Sequence, residues 1–487
     1  MGENHELRYV IIHGHFYQPP RENPWTGLIA PEAGAAPFHN WNERILSESY
    51  TANAHAHIMD GHVVRIRNNY ELLDFDVGPT LAGWMERHGK TAYRAMRRGD
   101  LLSAERCAGH GNALAQSYHH SILPLLSARD RELQIAWGVD DFVYRFGRRP
   151  EGIWLPECAA DDETIAEAAG AGLRYTILAP WQEGFKPGDG DDGGAGPFLW
   201  RRGDLKLGVF RFDHDLSSAV SFGDALTDGR RLADWIAGRA MTLKPGGVLL
   251  IATDGETFGH HKKSGAAELA RAFAVLEQHP GLRLTNCAEY MASHPAAGEF
   301  AISGTTSWSC AHGVERWRSN CGCRLDGNTS QEWRGPLREA MEFVKNHVDS
   351  VYDRFAASLV DDPIGALKAS IRLAIDADPG APDAFFGRFR VADEVRREQL
   401  TRLFEMERAG HSTLVSCAWF FDDFGGPEGR IVLRWAARAV ELAAAFAPSV
   451  ESELLQRLRA IHSNRREIGD AATLYLSLKT REARGSV

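Results

Sequence analysis

The sequence predicts an α/β fold: an irregular (β/α)7 barrel over residues 1–300, followed by an all-helical domain over 301–487. Three observations predict it. Short apolar runs alternate with helical segments up to about residue 300, the pattern of parallel strand–helix units. Polar residues recur just after strand ends, at His13, Glu157, Asp213 and Asp254, on the rim where barrel enzymes place their chemistry. Beyond that point the strand signals fade and only helical spacing remains.

The first strand is Tyr9–Ile12, opening into His13-Gly-His15-Phe-Tyr-Gln18-Pro-Pro20 and a long polar loop. Phe75–Val77 is the next strand, and Leu81–Met96 reads as a helix. Leu101–Cys107 leads into Gly109-His110-Gly111-Asn112. Leu133-Gln-Ile-Ala-Trp137 alternates as a strand does, with a helix around 139–146. Gly152-Ile-Trp-Leu-Pro-Glu157 is a short apolar strand ended by Pro156, which biases Leu155 toward an extended backbone and sets Glu157 at the strand mouth. A helix over 161–171 follows, then strand Tyr175–Leu178. The stretch 184–197, rich in Gly and Asp, reads as a flexible surface loop. Strand Leu205–Phe212 runs into Asp213, a helix covers 230–241, and Val248–Thr253 is a buried strand ending at Asp254-Gly-Glu256. A helix over 266–277 and a short strand at Leu282–Thr285 close the barrel region. Helices are then expected over 333–355, 363–377, 391–409, 431–446, 451–462 and 470–478, with Pro379 and Pro382 separating two of them.

With 487 residues, 44% of them hydrophobic, the chain can bury a large core and build more than one domain. A net charge of −10 argues against a phosphate-binding surface and makes nucleic acid a poor partner. No apolar run approaches the roughly 20 residues of a membrane span. The polar start, Met1-Gly-Glu-Asn, lacks a signal-peptide core, and Glu6 stands where myristoylation needs Ser or Thr. Seven cysteines in so long a chain are not a disulfide framework, so a cytosolic protein with reduced thiols is expected. No Walker loop or Gly-x-Ser-x-Gly elbow is present.

Two carboxylates delivered to one rim by different strands, Glu157 and Asp254, are the minimum equipment for glycoside hydrolysis. Thirteen tryptophans fit that chemistry, because sugar rings stack on aromatic faces; Trp25, Trp41, Trp181, Trp308, Trp317 and Trp333 lie in or beside loops, where capping and core filling are the competing roles. His13-Gly-His15 has three readings: alternate ligands of a metal site, sugar contacts, or hydrogen-bonding histidines of a polar cleft. With Asp254 such a metal site would fit a deacetylase-like hydrolase, and a non-catalytic glycan binder is the third class. Cys310 and Cys321-Gly-Cys323 lack the Cys-x-x-Cys spacing and the second pair of a zinc site, so no metal is expected there.

These stretches resemble glycoside hydrolase family 57, in the subgroup with a C-terminal domain of unassigned function. His13–Pro19 is similar to its first motif, Gly152–Glu157 to its third, Asp254–His260 to its fourth, and Trp308–Trp317 occupies the place of its fifth. At the second motif, Gly109–Asn112 replaces a run that often carries a glutamate. The resemblance implies a retaining enzyme acting on α-glucans or related α-linked oligosaccharides, with Glu157 as nucleophile, Asp254 as acid/base and no metal or other cofactor. Substrate contacts are then expected from His13, His15, Gln18, His110, Asn112 and Trp154. Asp213, Glu256, His260, Trp308, His312 and Trp317 complete that set. An acid that must hold its proton near neutrality needs a raised pKa, so burial and a negative neighbour are expected to raise that of Asp254. The helical domain is expected to complete the cleft.

Overall fold

The structure, a computed structural model, describes residues 7–60, 63–184 and 193–483. Most of the polar start and residues 185–192 of the expected Gly/Asp-rich loop therefore lie outside the described residues. The chain divides into two compact units: Met1–Gln18, Pro31–Ser117 and Arg145–Trp308 form one, and Pro19–Ala30, Tyr118–Tyr144 and Ser309–Val487 form the other.

The first unit is built on seven parallel strands. They are β1 (Arg8–Phe16), β2 (Asp74–Val77), β3 (Ala113–Gln116), β4 (Gly152–Trp154), β5 (Tyr175–Leu178), β6 (Leu205–Arg211) and β7 (Val248–Asp254). Their order in the curled sheet is β7-β1-β2-β3-β4-β5-β6. Eight of the nine residues of β1 are buried, as expected for a parallel strand covered on both faces. Between β6 and β7 the ladder is irregular. There the Ala195 N–H donates to the Val248 carbonyl (2.8 Å) and the Asp213 N–H donates to that of Leu250 (2.7 Å). Helices packed on the sheet begin at side-chain caps: Asp161 accepts from the Thr164 N–H to start Asp162–Gly170, and Asp228 does the same for Gly229–Ala240.

Two expectations need correction. Leu133–Trp137 is not a strand but the middle of one helix, Ala128–Phe146. Ser127 Oγ accepts from the Asp130 N–H at its start, Gly138 is the only Gly or Pro within it, and Gly147 at φ +70° ends it. Leu133, Gln134, Ile135 and Trp137 are all buried, so this turn is enclosed on several sides and its apolar alternation reports no sheet. Conversely β3 was not expected, because Ala-Leu-Ala-Gln is short and low in strand propensity. Smaller differences are a break of 81–96 at Gly89, giving helices Pro79–His88 and Lys90–Arg106, and an extension of β1 through His13 and His15.

In the second unit, helices Arg334–Ala356, Glu394–Ser412 and Pro427–Ala443 pack on one another, and Leu337, Met341, Val344, Leu403, Phe404 and Val432 on them are buried. The segment 363–377 splits into Pro363–Ala369 and Ile371–Ile375, and Pro382 lies in the first turn of Ala381–Arg388, where its missing N–H costs nothing. Lys345 is buried with Asp130 (2.8 Å), Glu407 (3.3 Å) and Asp349, so its charge is compensated where water is excluded.

Candidate active site

Parallel pairing places the polar residues of β1 opposite those of its neighbours. His13 stands opposite Asp74 and His15 opposite Asp76 on β2, while His15 stands opposite Asp254 on β7. His13 Nδ1 is 2.6 Å from Asp74 Oδ1 and its Nε2 is 3.1 Å from Asp76 Oδ1. His15 Nδ1 is 2.9 Å from Asp76 Oδ2, which also accepts from Gln116 Nε2 (2.6 Å) at the end of β3. Burial opposes charge on both imidazoles, but facing carboxylates outweigh it: Asp74 and Asp76 hold His13 above its ordinary value, and Asp76, with Asp254 and Glu256, raises His15 to about 9. Asp76 is correspondingly held low, against its own burial, by His15 and His13.

Trp154 ends β4 beneath the site. It is fully buried, stacked on His13 (4.7 Å) and His15 (5.1 Å), and meets Trp308 edge-on (5.1 Å). Leu155 is extended, as Pro156 requires, and the chain then turns sharply. Glu157 and Cys158 both lie in the left-handed region (φ 57° and 47°), a conformation that side-chain-bearing residues adopt at a cost. Trp308 holds this turn: its N–H donates to the Glu157 carbonyl (3.0 Å) and its indole Nε1 to Glu157 Oε2 (3.1 Å). Phe212 stands edge-on to Trp308 (6.2 Å) and Trp181 edge-on to Phe212 (6.0 Å), so a row of aromatic rings leads away from Glu157.

Asp254 is the last residue of β7. Its side chain is open to solvent, yet strand ends and loops ring it and withhold much of the solvation of a free carboxylate. That desolvation, with negative Glu157 and Asp76, raises its pKa to about 6 against the pull of His15. The direction is the one expected, and negative neighbours contribute to it as expected, but Asp254 itself is not buried. Gly255 lets the chain leave the strand here, since a Cβ would stand 2.3 Å from the Phe16 ring. Glu256 points inward: its Oε1 accepts from the Tyr50 hydroxyl (2.6 Å) and the Tyr17 N–H (3.2 Å). Burial raises it to about 7, Tyr50 opposing and Asp254 adding to the rise.

The remaining expected contacts divide. Gln18 is buried beside the Tyr17 carbonyl (2.8 Å), and His260 Nδ1 pairs with Glu48 (2.5 Å) near the same rim. His13 has no exposed surface and both its ring nitrogens face carboxylates, so it lies behind the site and offers a metal no free nitrogen. His110 and Asn112 precede β3 and therefore lie at the opposite, N-terminal end of the sheet. His110 pairs there with Glu151 (2.8 Å), and Asn112 is fully buried with Asn286 (3.0 Å). Asp213 has both oxygens in use, one capping His214–Ser221 through the Leu216 N–H (3.0 Å), the other on Arg239 Nε (2.8 Å). Trp317 is wholly buried in the second unit, and His312 of that unit faces Cys323.

Solved structures with this fold include an exo-type maltose-forming amylase from Pyrococcus sp. ST04 (TM-score 0.68, 15% identity, 98% of this chain and 83% of that one). A family 57 branching enzyme from Thermococcus kodakaraensis is also similar (TM-score 0.57, 14% identity, 99% of this chain and 96% of that one). Residues 103–303, which include Glu157 and Asp254, match the family described as glycosyl hydrolase family 57. The family match covers residues 103–303, and the solved structures add a likeness of fold over nearly the whole chain. Residues 330–483 match a domain of unknown function, DUF3536. Among curated relatives, Alpha-amylase 1 of Dictyoglomus thermophilum is 24% identical over 156 residues, 31% of this chain; the chain spans only 22% of that relative's length.

The candidate site also contains residues not singled out from the sequence: Asp74, Asp76, Gln116 and Tyr50. A signal for two of them was present. Asp74-Phe-Asp76 carries two carboxylates at strand period inside an apolar run, the same spacing as His13-Gly-His15.

Proposed function

We propose that this protein is a retaining glycosidase or glycosyl-transferring enzyme acting on α-glucans or related α-linked oligosaccharides. Glu157 is the nucleophile and Asp254 the acid/base. The observation that carries this reading is the split environment of two carboxylates on one strand-end rim. Glu157 is oriented by the Trp308 indole, while Asp254 is raised to about 6 and keeps its proton into the weakly acidic range.

In the first step a Glu157 carboxylate oxygen attacks the anomeric carbon, the glycosidic bond breaks, and the Asp254 proton passes to the departing oxygen. In the second, the Asp254 carboxylate takes a proton from water or a sugar hydroxyl, whose oxygen attacks the same carbon and releases Glu157. Two inversions give net retention. His15, cationic above its Asp76 partner, balances negative charge beside Asp254. The aromatic row from Trp308 to Trp181 supplies faces for further sugar rings. The α-glucan class rests on the activities named for the relatives, an α-amylase and a branching enzyme, and the acidic chain suits a neutral polysaccharide better than nucleic acid. Free cysteines throughout support work in the cytosol. We assign the catalytic machinery to the barrel unit, which runs to Trp308.

Replacing Glu157 by Ala is expected to abolish turnover of maltooligosaccharides, and azide should then yield a glycosyl azide of inverted anomeric configuration. Full activity in Glu157→Ala overturns the assignment. A product profile with maltooligosaccharides and glycogen separates hydrolysis from transfer.

A further inference from the structure

A group of side chains outside the site has the chemistry of a metal centre. In the second unit, one ligand atom from each of Cys310, His312, Cys321 and Cys323 lies within 4.8 Å of all the others. Cys310 Sγ is 4.0 Å from Cys321 Sγ and 3.8 Å from Cys323 Sγ, and Cys323 Sγ is 3.6 Å from His312 Nδ1. Zinc–thiolate bonds of about 2.3 Å at tetrahedral angles set sulfurs about 3.8 Å apart, so these atoms are spaced as ligands of one ion. The thiolates of a four-iron cluster bind different iron atoms and must stand further apart. A disulfide would join two sulfurs at about 2.05 Å and leave the third cysteine and the histidine without a purpose.

The spacing Cys-x-His followed by Cys-x-Cys hides this centre from a search for Cys-x-x-Cys. Two features let the tighter spacing work. Gly322, at φ +85°, turns the chain between its cysteines, and the Cys323 N–H points at Cys321 Sγ (3.5 Å), where it can donate to a thiolate. The buried Arg334 donates to the Cys323 carbonyl (2.8 Å), which sets a cation beside the group.

We propose that Cys310, His312, Cys321 and Cys323 bind one zinc(II) ion as a structural Cys3His centre. On binding, three thiols lose their protons, three thiolate sulfurs and one neutral imidazole nitrogen fill the four positions, and the site carries a net charge of −1 beside Arg334. No coordination position remains open, which suits a structural site and not a catalytic one. The loop it ties together holds only one short helical turn, Glu315–Trp317, and starts two residues after Trp308. The ion thus ties together a loop of the second unit that has little regular structure of its own. This inference stands on the second unit alone and does not depend on the catalytic reading.

The test is metal analysis of the full chain purified under reducing conditions. One zinc per chain is expected, with less than about a tenth of that in the double variant Cys321→Ser/Cys323→Ser. His312→Ala should weaken zinc binding by at least about tenfold, and His312→Cys should restore it. Cobalt(II) added to the chelator-treated wild type should give the intense visible absorption of a tetrahedral thiolate site, a readout that holds even if the double variant fails to fold. Reduced wild type that binds neither zinc nor cobalt overturns the proposal. So does equal metal in the wild type and the double variant, or a disulfide among these cysteines found by mass spectrometry in protein purified without oxidant.

Discussion

Replacing Asp76 by Asn should cost stability in a way that depends on pH. Asp76 is fully buried and takes hydrogen bonds from His13, His15 and Gln116. Asn keeps the shape, removes the negative charge and turns an N–H group toward donors. His15, itself buried, then loses its counter-ion. Its pKa rises from 6.5 to about 9 on folding, which is worth about 3 kcal/mol at roughly 1.4 kcal/mol per unit, and breaking a buried ion pair generally costs about 3–5 kcal/mol. Because the folded value lies above the ordinary one, this share of stability is complete below about pH 6.5 and is lost as pH climbs through about 9. Urea unfolding of wild type and Asp76→Asn, followed by tryptophan emission at about pH 6 and pH 10, reads the difference. At the lower pH the variant should be weaker by about 3 kcal/mol; at the higher pH the gap should shrink to about 1 kcal/mol or less. An equal gap at both values would show that the His15–Asp76 charge pair is not what the substitution removes.

Other expectations bear on catalysis. Asp254 acts first as an acid and is raised to about 6, so kcat/KM should fall as pH rises through about 6; a profile flat between about pH 5 and 8 removes Asp254 from that role. Trp308→Phe keeps an aromatic ring but deletes the Nε1–Glu157 bond (3.1 Å), and a hydrogen bond to a charged group is worth about 1.5–3 kcal/mol. Steady-state kinetics should show kcat/KM lowered about tenfold or more with little change in thermal midpoint. Trp181 is 46% exposed at the end of the aromatic row, so Trp181→Ala should raise KM for long maltooligosaccharides about fivefold, near 1 kcal/mol, while loss of its bond to the Ser307 carbonyl (3.1 Å) should cost about 1 kcal/mol of stability. An unchanged KM on long substrates takes Trp181 out of the binding surface.

Much of the barrel was legible because burial leaves a local trace. Strands near 75–77, 152–154, 175–178 and 248–254 are apolar runs ended by Pro, Gly or a carboxylate, and the helices between them repeat every three or four residues. The two catalytic candidates were legible for the same reason, since each stands where an apolar run stops. Local pattern failed where burial came from several sides. Leu133–Trp137 alternates like a strand but is a turn of an enclosed helix, and the four residues of β3 are too few to show a period. That second omission misplaced His110 and Asn112, because a residue before a strand and one after it lie at opposite ends of the sheet.

The sequence by itself determined which side chains were available and which two carboxylates stand at strand ends. Only the tertiary structure decided which groups meet. The register of β1 against β2 sets His13 on Asp74 and His15 on Asp76, partners some sixty positions apart in the chain. The left-handed turn at Glu157, held by Trp308 from 151 positions away, and the convergence of Cys310 and His312 on Cys321 and Cys323 belong to the same class. The reason is physical. Periodicity along a chain records how each residue faces the core, but contacts between strands and loops depend on how the connections bring them together.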